Sequence, residues 1–150
     1  MGTSVERPPE LAQLQVIVSS TQSDSHTWNL VFLELLIEEL GHRVVNLGSC
    51  VPDDVLVAEC LRQRPDLVVI STVNGHGWID GKRVVRRLRE RPELTDTYIV
   101  IGGKLGITER SDRRTTDTLL AAGFDAVFSD GADIDSFQSY LRSLPIATAS

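Results

Sequence analysis

Cysteine, aromatic residues, long apolar runs and an excess of positive charge are all scarce in this chain, and each shortage excludes a class of function. Cys50 and Cys60 are the two cysteines and lack CxxC spacing, so the sequence offers no cysteine-built zinc site. Reduced thiols in the cytosol are the expectation. Aromatic residues make up 5% of the chain, few for stacking on a flavin. The formal net charge is −6, which argues against a general nucleic-acid binder, because such a protein must neutralise phosphates. No apolar run approaches the length that spans a bilayer. The opening MGTSVERPPE lacks the apolar segment of a secretory signal. Glu6 stands where a myristoylation start wants Ser or Thr. The expectation is a cytoplasmic protein, off membranes, with residues 1–12 a disordered leader and 145–150 a tail.

What is present is regular. A chain of 150 residues, 41% hydrophobic and 24% charged, suits one domain with one core. Strand and helix signals alternate five times. LQVIVSS (14–20), HRVVNLG (42–48), DLVVIST (66–72), TYIVIGG (97–103) and FDAVFSDG (124–131) are short apolar runs, as strands buried on both faces require. Between them lie longer segments with helical spacing. WNLVFLELLIEEL (28–40) ends at Gly41, and the segment after Pro52 ends before Pro65. IDGKRVVRRLRERP, SDRRTTDTLLAAG and DIDSFQSYLRSL supply the other three helices. This alternation predicts a doubly wound, five-stranded parallel sheet in a three-layer α/β/α arrangement, flavodoxin-like, with strand order 2-1-3-4-5. Ligands then sit beyond the carboxyl ends of the strands, near strands 1 and 3.

The loops at that edge read SSTQSDSHTWN after strand 1, STVNGHGWID after strand 3, GGKLGITERSD after strand 4 and SDGAD after strand 5. Gly75, Gly77, Gly102, Gly103, Gly106 and Gly131 gather there, whereas Gly41, Gly48, Gly81 and Gly123 are placed elsewhere. Such a cluster lets a large ligand approach the backbone of several loops; each glycine singly also reads as a turn residue. Three architectures of this type fit poorly. A receiver domain needs an aspartate at the end of strand 3, where this chain has Ser71 and Thr72. The hydroxyl-rich SSTQS has no glycine for a flavodoxin phosphate loop, and no G-x-G-x-x-G follows strand 1. Asp24 and His26 offer something else. A carboxylate two residues before an imidazole can accept the Nδ1 proton and leave Nε2 as a basic lone pair for a metal. An exposed histidine in a polar loop is the alternative reading. His42 is expected to start strand 2 without special role, and His76 is a further possible ligand contact in the strand 3 loop.

These residues resemble the cobalamin-binding domain of adenosylcobalamin-dependent mutases. The family pattern D-x-H-x-x-G, S-x-L and G-G reads here Asp24-Ser25-His26-Thr27-Trp28-Asn29, Ser71-Thr72-Val73 and Gly102-Gly103. Asn29 replaces the family glycine and Val73 the leucine. The resemblance covers residues 14–143, within a domain expected over 13–144. It is strongest to the small subunits of glutamate mutases, through SDSH, VVNLGSCVPDD and the Gly75, Gly77, Ile79, Asp80 pattern. It implies that His26 ligates cobalt, that Asp24 fixes the tautomer of His26, and that Ser71 hydrogen-bonds the displaced base. Ser20 or Ser23 then helps bind the nucleotide tail. Gly75, Gly102, Gly103 and Gly131 give the tail room, and Phe128 lines its pocket. It further implies adenosylcobalamin as cofactor and a large barrel-shaped catalytic subunit as partner, in a heterotetrameric assembly with an amino-acid substrate at the subunit interface. A mutase for another substrate, a non-catalytic cobalamin carrier or regulatory module, and a flavin domain remain as alternatives.

Two helices carry partner hints. In the first, Leu33, Leu36, Ile37 and Leu40 suit the sheet, while Trp28, Val31 and Leu35 lie towards Glu38 and Glu39. That second side packs against the last helix or meets a subunit. The third helix carries Lys82, Arg83, Arg86, Arg87 and Arg89, read as a solvated face or as a dock for an acidic partner.

Overall fold

The fold is given by a computed structural model, which describes residues 13–72, 77–103, 109–129 and 134–144. The strands are β1 (Gln15–Ser20), β2 (Arg43–Asn46), β3 (Leu67–Thr72), β4 (Tyr98–Gly103) and β5 (Ala126–Ser129). The helices are α1 (Trp28–Glu39), α2 (Asp53–Gln63), α3 (Gly77–Arg89), α4 (Glu109–Ala122) and α5 (Ile134–Ser143). A short 3₁₀ turn, Pro92–Leu94, precedes β4. The sheet order is β2-β1-β3-β4-β5 and every described pairing is parallel, as the alternation predicts. The proposed leader 1–12 and tail 145–150 lie outside the described residues. No helix among the described residues is long and apolar enough to cross a membrane.

Burial explains the strand sequences. β3 is buried at all six positions, so both its faces need apolar residues, and LVVI supplies them. One face of the sheet packs Ile17, Val68, Ile70, Ile99 and Ile101 against Leu56, Val57, Val84, Val85, Leu88 and Leu119 of α2, α3 and α4. The other face packs Val16, Val18, Leu67, Val69 and Val100 against Leu30 and Ile37 of α1 and Phe137 and Leu141 of α5. Each fully buried aliphatic side chain stabilises the fold by about 1.5–3 kcal/mol. Gly41 follows α1 with φ +98°, a left-handed turn that glycine adopts without strain.

Boundaries differ from the sequence reading by a residue or two at most ends. α3 starts at Gly77, two residues before the IDGK segment. His42 is less idle than expected: its Nδ1 accepts the Leu14 N–H at 3.1 Å, just before β2 begins.

Two readings of the helices need correction or completion. The basic α3 is not simply a solvated face. Arg83 pairs with Asp53 and Asp80, Arg87 pairs with Asp54, and Arg89 pairs with Asp125 while also bonding the carbonyls of Gly123 and Thr97. These arginines brace α3 to α2 and to the start of β5. In α1, Leu30 and Ile37 are buried, and Leu33, Leu36 and Leu40 pack against the same core. Trp28, Val31, Phe32 and Leu35 form a stripe at helical spacing on the opposite side and are exposed, Trp28 at 84%. α5 therefore leaves that stripe uncovered, and α1 is apolar on both sides.

Candidate functional site

The loop from β1 to α1 is built by local and cross-loop hydrogen bonds. The Asp24 N–H donates to the Thr21 carbonyl at 3.1 Å, which turns the chain. The Asp24 carbonyl accepts the Cys50 N–H at 2.8 Å. The Ser20 N–H reaches the Gly48 carbonyl at 3.3 Å. Its hydroxyl lies 3.1 Å from that carbonyl and 3.3 Å from the Asp24 carbonyl. Gly48, placed away from this edge by the sequence, therefore belongs to it. β2 ends there beside β1, and the φ of +92° at Gly48 makes glycine the suitable residue.

Within this frame Asp24 is 1% exposed and faces His26. Its Oδ1 accepts the His26 backbone N–H at 2.9 Å and lies 2.8 Å from His26 Nδ1. An ionised carboxylate only accepts, so in the neutral ring Nδ1 carries the proton and Nε2 the lone pair. The imidazole is exposed. It lines an open cleft of about 430 Å³ with Ser25, Thr27, Trp28 and Asn29. Thr27 is the N-cap of α1, and its hydroxyl makes no cap bond.

Strand register gathers the distant residues. Ser20 pairs with Ser71, Ser71 with Gly102, and Gly102 with Phe128, giving one row across four strands. The row follows Val18, Val69, Val100 and Ala126 by two residues, so it shares their sheet face, the one covered by α1 and α5. A Cβ on Gly102 would lie 3.3 Å from the Phe128 carbonyl oxygen and 3.4 Å from its Cβ. A side chain there would press on Phe128, so glycine suits this position between Ser71 and Phe128. Phe128 meets Phe137 edge-on at 5.4 Å and Tyr140 at 5.7 Å between ring centres. Burial, aided by Asp125, pushes the Tyr140 phenol up to about 12, so it stays protonated. Asn29 reaches across from α1, and its amide Nδ2 donates to the Ser71 hydroxyl oxygen.

Several sequence-assigned residues are otherwise engaged or lie elsewhere. The Ser20 hydroxyl serves the loop, and Ser23 donates both its N–H and its hydroxyl to Asp80 Oδ2. Gly103 ends β4 opposite Thr72 and Ser129. Val73, Gly75, His76, Gly106 and Gly131 lie outside the described residues. Two residues were missed. The hydroxyls of Thr21 and Thr72 are buried and have no partner among the described residues. A buried polar atom left unpaired costs about 1–3 kcal/mol; Thr21 lies in the loop that carries Asp24, whereas Thr72 follows Val68 and Ile70 on the face covered by α2, α3 and α4. Their signal was the hydroxyl doublet at the end of each strand, SST and STV.

Asp80 anchors the loop electrostatically. Burial raises its pKa, but hydrogen bonds from Ser23 and Arg83 outweigh that and hold it below the usual 3.8. The groups facing it are Arg83 and, through Arg83, Asp53. A carboxyl depressed in the folded state stabilises the fold above its unfolded pKa, and the contribution is lost as pH falls through the folded value. The melting temperature should accordingly drop below about pH 4. The gap between wild type and Asp80→Asn should narrow there, as thermal melts between about pH 3 and 6 would show.

Among the described residues no group of three or more His, Cys, Asp and Glu is placed to hold a metal ion. A lone, oriented imidazole suits a metal that brings its other ligands with it. The buried Thr21 hydroxyl, unpartnered among the described residues and three positions before Asp24, would suit a polar atom of such a ligand.

Residues 14–135 match the family described as B12 binding domain, most of the chain's length. The chain belongs to the B12-binding domain family. Within that class it is similar to the glutamate mutase sigma subunit of Fusobacterium nucleatum, at 26% identity over 125 residues, covering 83% of this chain and 91% of that protein. It is also similar to glutamate mutase sigma subunit 2 of Haloarcula marismortui, at 30% identity over 118 residues, covering 79% of this chain and 78% of that protein. Among solved structures, a cobalamin-binding protein from Desulfitobacterium hafniense DCB-2 superposes with a TM-score of 0.70 at 21% identity. That match covers 89% of this chain and 60% of the other. The chemotaxis response regulator CheY4 of Vibrio cholerae gives 0.64 at 14% identity, covering 89% of this chain and all (100%) of that one. At these identities the structural matches speak for the fold alone.

Proposed function

We propose that this chain is the cofactor-carrying small subunit of an adenosylcobalamin-dependent carbon-skeleton mutase of the glutamate mutase type. The observation that carries the reading is the buried Asp24 holding Nδ1 of an exposed His26, beside the row Ser20, Ser71, Gly102 and Phe128. His26 would offer Nε2 to cobalt, and Asp24 would keep the ring oriented and basic. Ser71 would hydrogen-bond the displaced base. Gly102, bare of a side chain, would give the nucleotide tail room, with Phe128 as its apolar wall. Ser25, Thr27 and Asn29 would line the mouth, and Val73, Gly75, Gly103 and Gly131 would complete the surround. When bound, the cofactor supplies a cobalt–carbon bond whose homolysis starts radical chemistry. The chain's own part is to bind, to orient and to leave one side open.

A large catalytic subunit would close that side and hold the amino-acid substrate at the interface, in a cytoplasmic heterotetramer. The uncovered stripe of α1 supports a partner, since it begins at Trp28, which also lines the cleft. The test mixes purified chain, adenosylcobalamin and the large subunit of a glutamate mutase, and follows conversion of glutamate to 3-methylaspartate. Turnover should require both proteins, with neither active alone. Tight cobalamin binding with no association and no turnover would leave only a carrier and overturn the mutase reading.

A further inference from the structure

We infer that Asp80 and Arg83 are positioning residues for the His26 loop, acting through Ser23. Ser23 directly precedes Asp24, and both of its donors, N–H and hydroxyl, go to Asp80 Oδ2. Asp80 sits in the first turn of α3 with its side chain 14% exposed, so water competes little for it. Its other oxygen, Oδ1, accepts from Arg83 Nη1 at 2.8 Å. Arg83 in turn grips Asp53 through two bonds, Nε to Oδ2 at 2.6 Å and Nη2 to Oδ1 at 3.1 Å. Asp53 opens α2 and is itself buried.

The chain of contacts therefore runs from α2 through α3 to the loop. α2 and α3 cover the sheet face opposite α1. The loop is held from both sides: Gly48 and Cys50 bind the backbone around Asp24, and Asp80 binds Ser23. With Ser23 fixed, the backbone leading into Asp24 is fixed, and the Asp24–His26 pair is formed before any ligand arrives. Pre-organisation of this kind raises affinity without a new ligand contact. The fork geometry of Arg83 matters, because a lysine cannot span two carboxylates in one plane. An asparagine at 80 has a single acceptor oxygen, so it cannot accept from Ser23 and from Arg83 at opposite ends.

The consequence for cobalamin rests on the proposed function, and the experiment separates the two. Wild type, Asp80→Asn, Arg83→Lys and Ser23→Ala would be compared in two ways. Without cobalamin, ¹⁵N NMR of the His26 ring reads the population of the Nδ1–H tautomer. With cobalamin, absorbance titration reads the histidine-ligated form. Asp80→Asn should shift His26 to a tautomer mixture and weaken cobalamin binding about tenfold, with Arg83→Lys between it and wild type. Wild-type tautomer and affinity in Asp80→Asn would overturn the inference. Should Asp80→Asn fail to fold, Ser23→Ala removes only the hydroxyl link and must show the same tautomer shift. A wild type that ignores cobalamin would sink the functional reading, while the ligand-free spectrum still decides the brace.

Discussion

Asp24→Ala should bind cobalamin about 10–100-fold more weakly than wild type, the usual cost of losing the partner that orients a metal-ligating histidine. The carboxylate touches no proposed cofactor atom. Its work is on His26: one oxygen, Oδ1, holds both the backbone N–H and the ring Nδ1. Without it the exposed ring rotates freely and exchanges protons between its nitrogens, so Nε2 is neither aimed nor reliably unprotonated. Asp24→Asn separates the two contributions. An amide oxygen can still accept both bonds, so orientation persists while the negative charge is gone. Its affinity should fall between alanine and wild type. The free protein should also lose about 1 kcal/mol in Asp24→Ala, as when a capping side chain is removed. Isothermal titration and chemical denaturation measure the two effects separately.

Asn29→Gly should act in opposite directions on affinity and stability. Asn29 donates to the Ser71 hydroxyl and lines the cleft beside His26. A ligand group that takes the place of the Asn29 amide on the Ser71 hydroxyl must first break that bond. A neutral hydrogen bond is worth about 0.5–1.5 kcal/mol net, so its removal should tighten cobalamin binding about two- to tenfold. The free protein should be destabilised by about 1 kcal/mol or more, from the lost bond and from glycine in the first turn of α1. Asn29→Ala keeps the helix propensity and removes only the bond; it should show the affinity gain with less of the stability loss. Affinity unchanged in both variants would mean that the Asn29–Ser71 bond does not compete with the ligand.

The fold was legible because its signals are local. Apolar runs such as VVIS and YIVI, punctuated by Gly41, Pro65 and Gly123, mark strands and helix ends without reference to the rest of the chain. Asp24 and His26 were legible for the same reason, being two residues apart. What depends on distant partners was not. Ser20 and Ser23 look like free hydroxyls in the sequence, yet their partners Gly48 and Asp80 are 28 and 57 residues away. The arginines of α3 look solvated until Asp53 and Asp54 of α2 are placed beside Arg83 and Arg87. Sequence can place Ser20, Ser71, Gly102 and Phe128 at one edge, but only strand register puts them in one row. The outward stripe of α1 breaks the expected pattern, since a helix on a sheet normally turns polar residues outward. Such breaks are expected where a protein meets something else.

The central claim is that His26 Nε2 binds cobalt, and electron paramagnetic resonance of cob(II)alamin on the protein tests it most directly. The unpaired electron couples to the axial nitrogen, so the isotope of that nitrogen is read from the splitting. Protein labelled with ¹⁵N only at histidine should convert the triplet of a ¹⁴N ligand into a doublet, and His26→Ala should abolish the doublet. A triplet that persists in the labelled protein, unaffected by His26→Ala, would show that cobalt keeps its own base and would contradict the account.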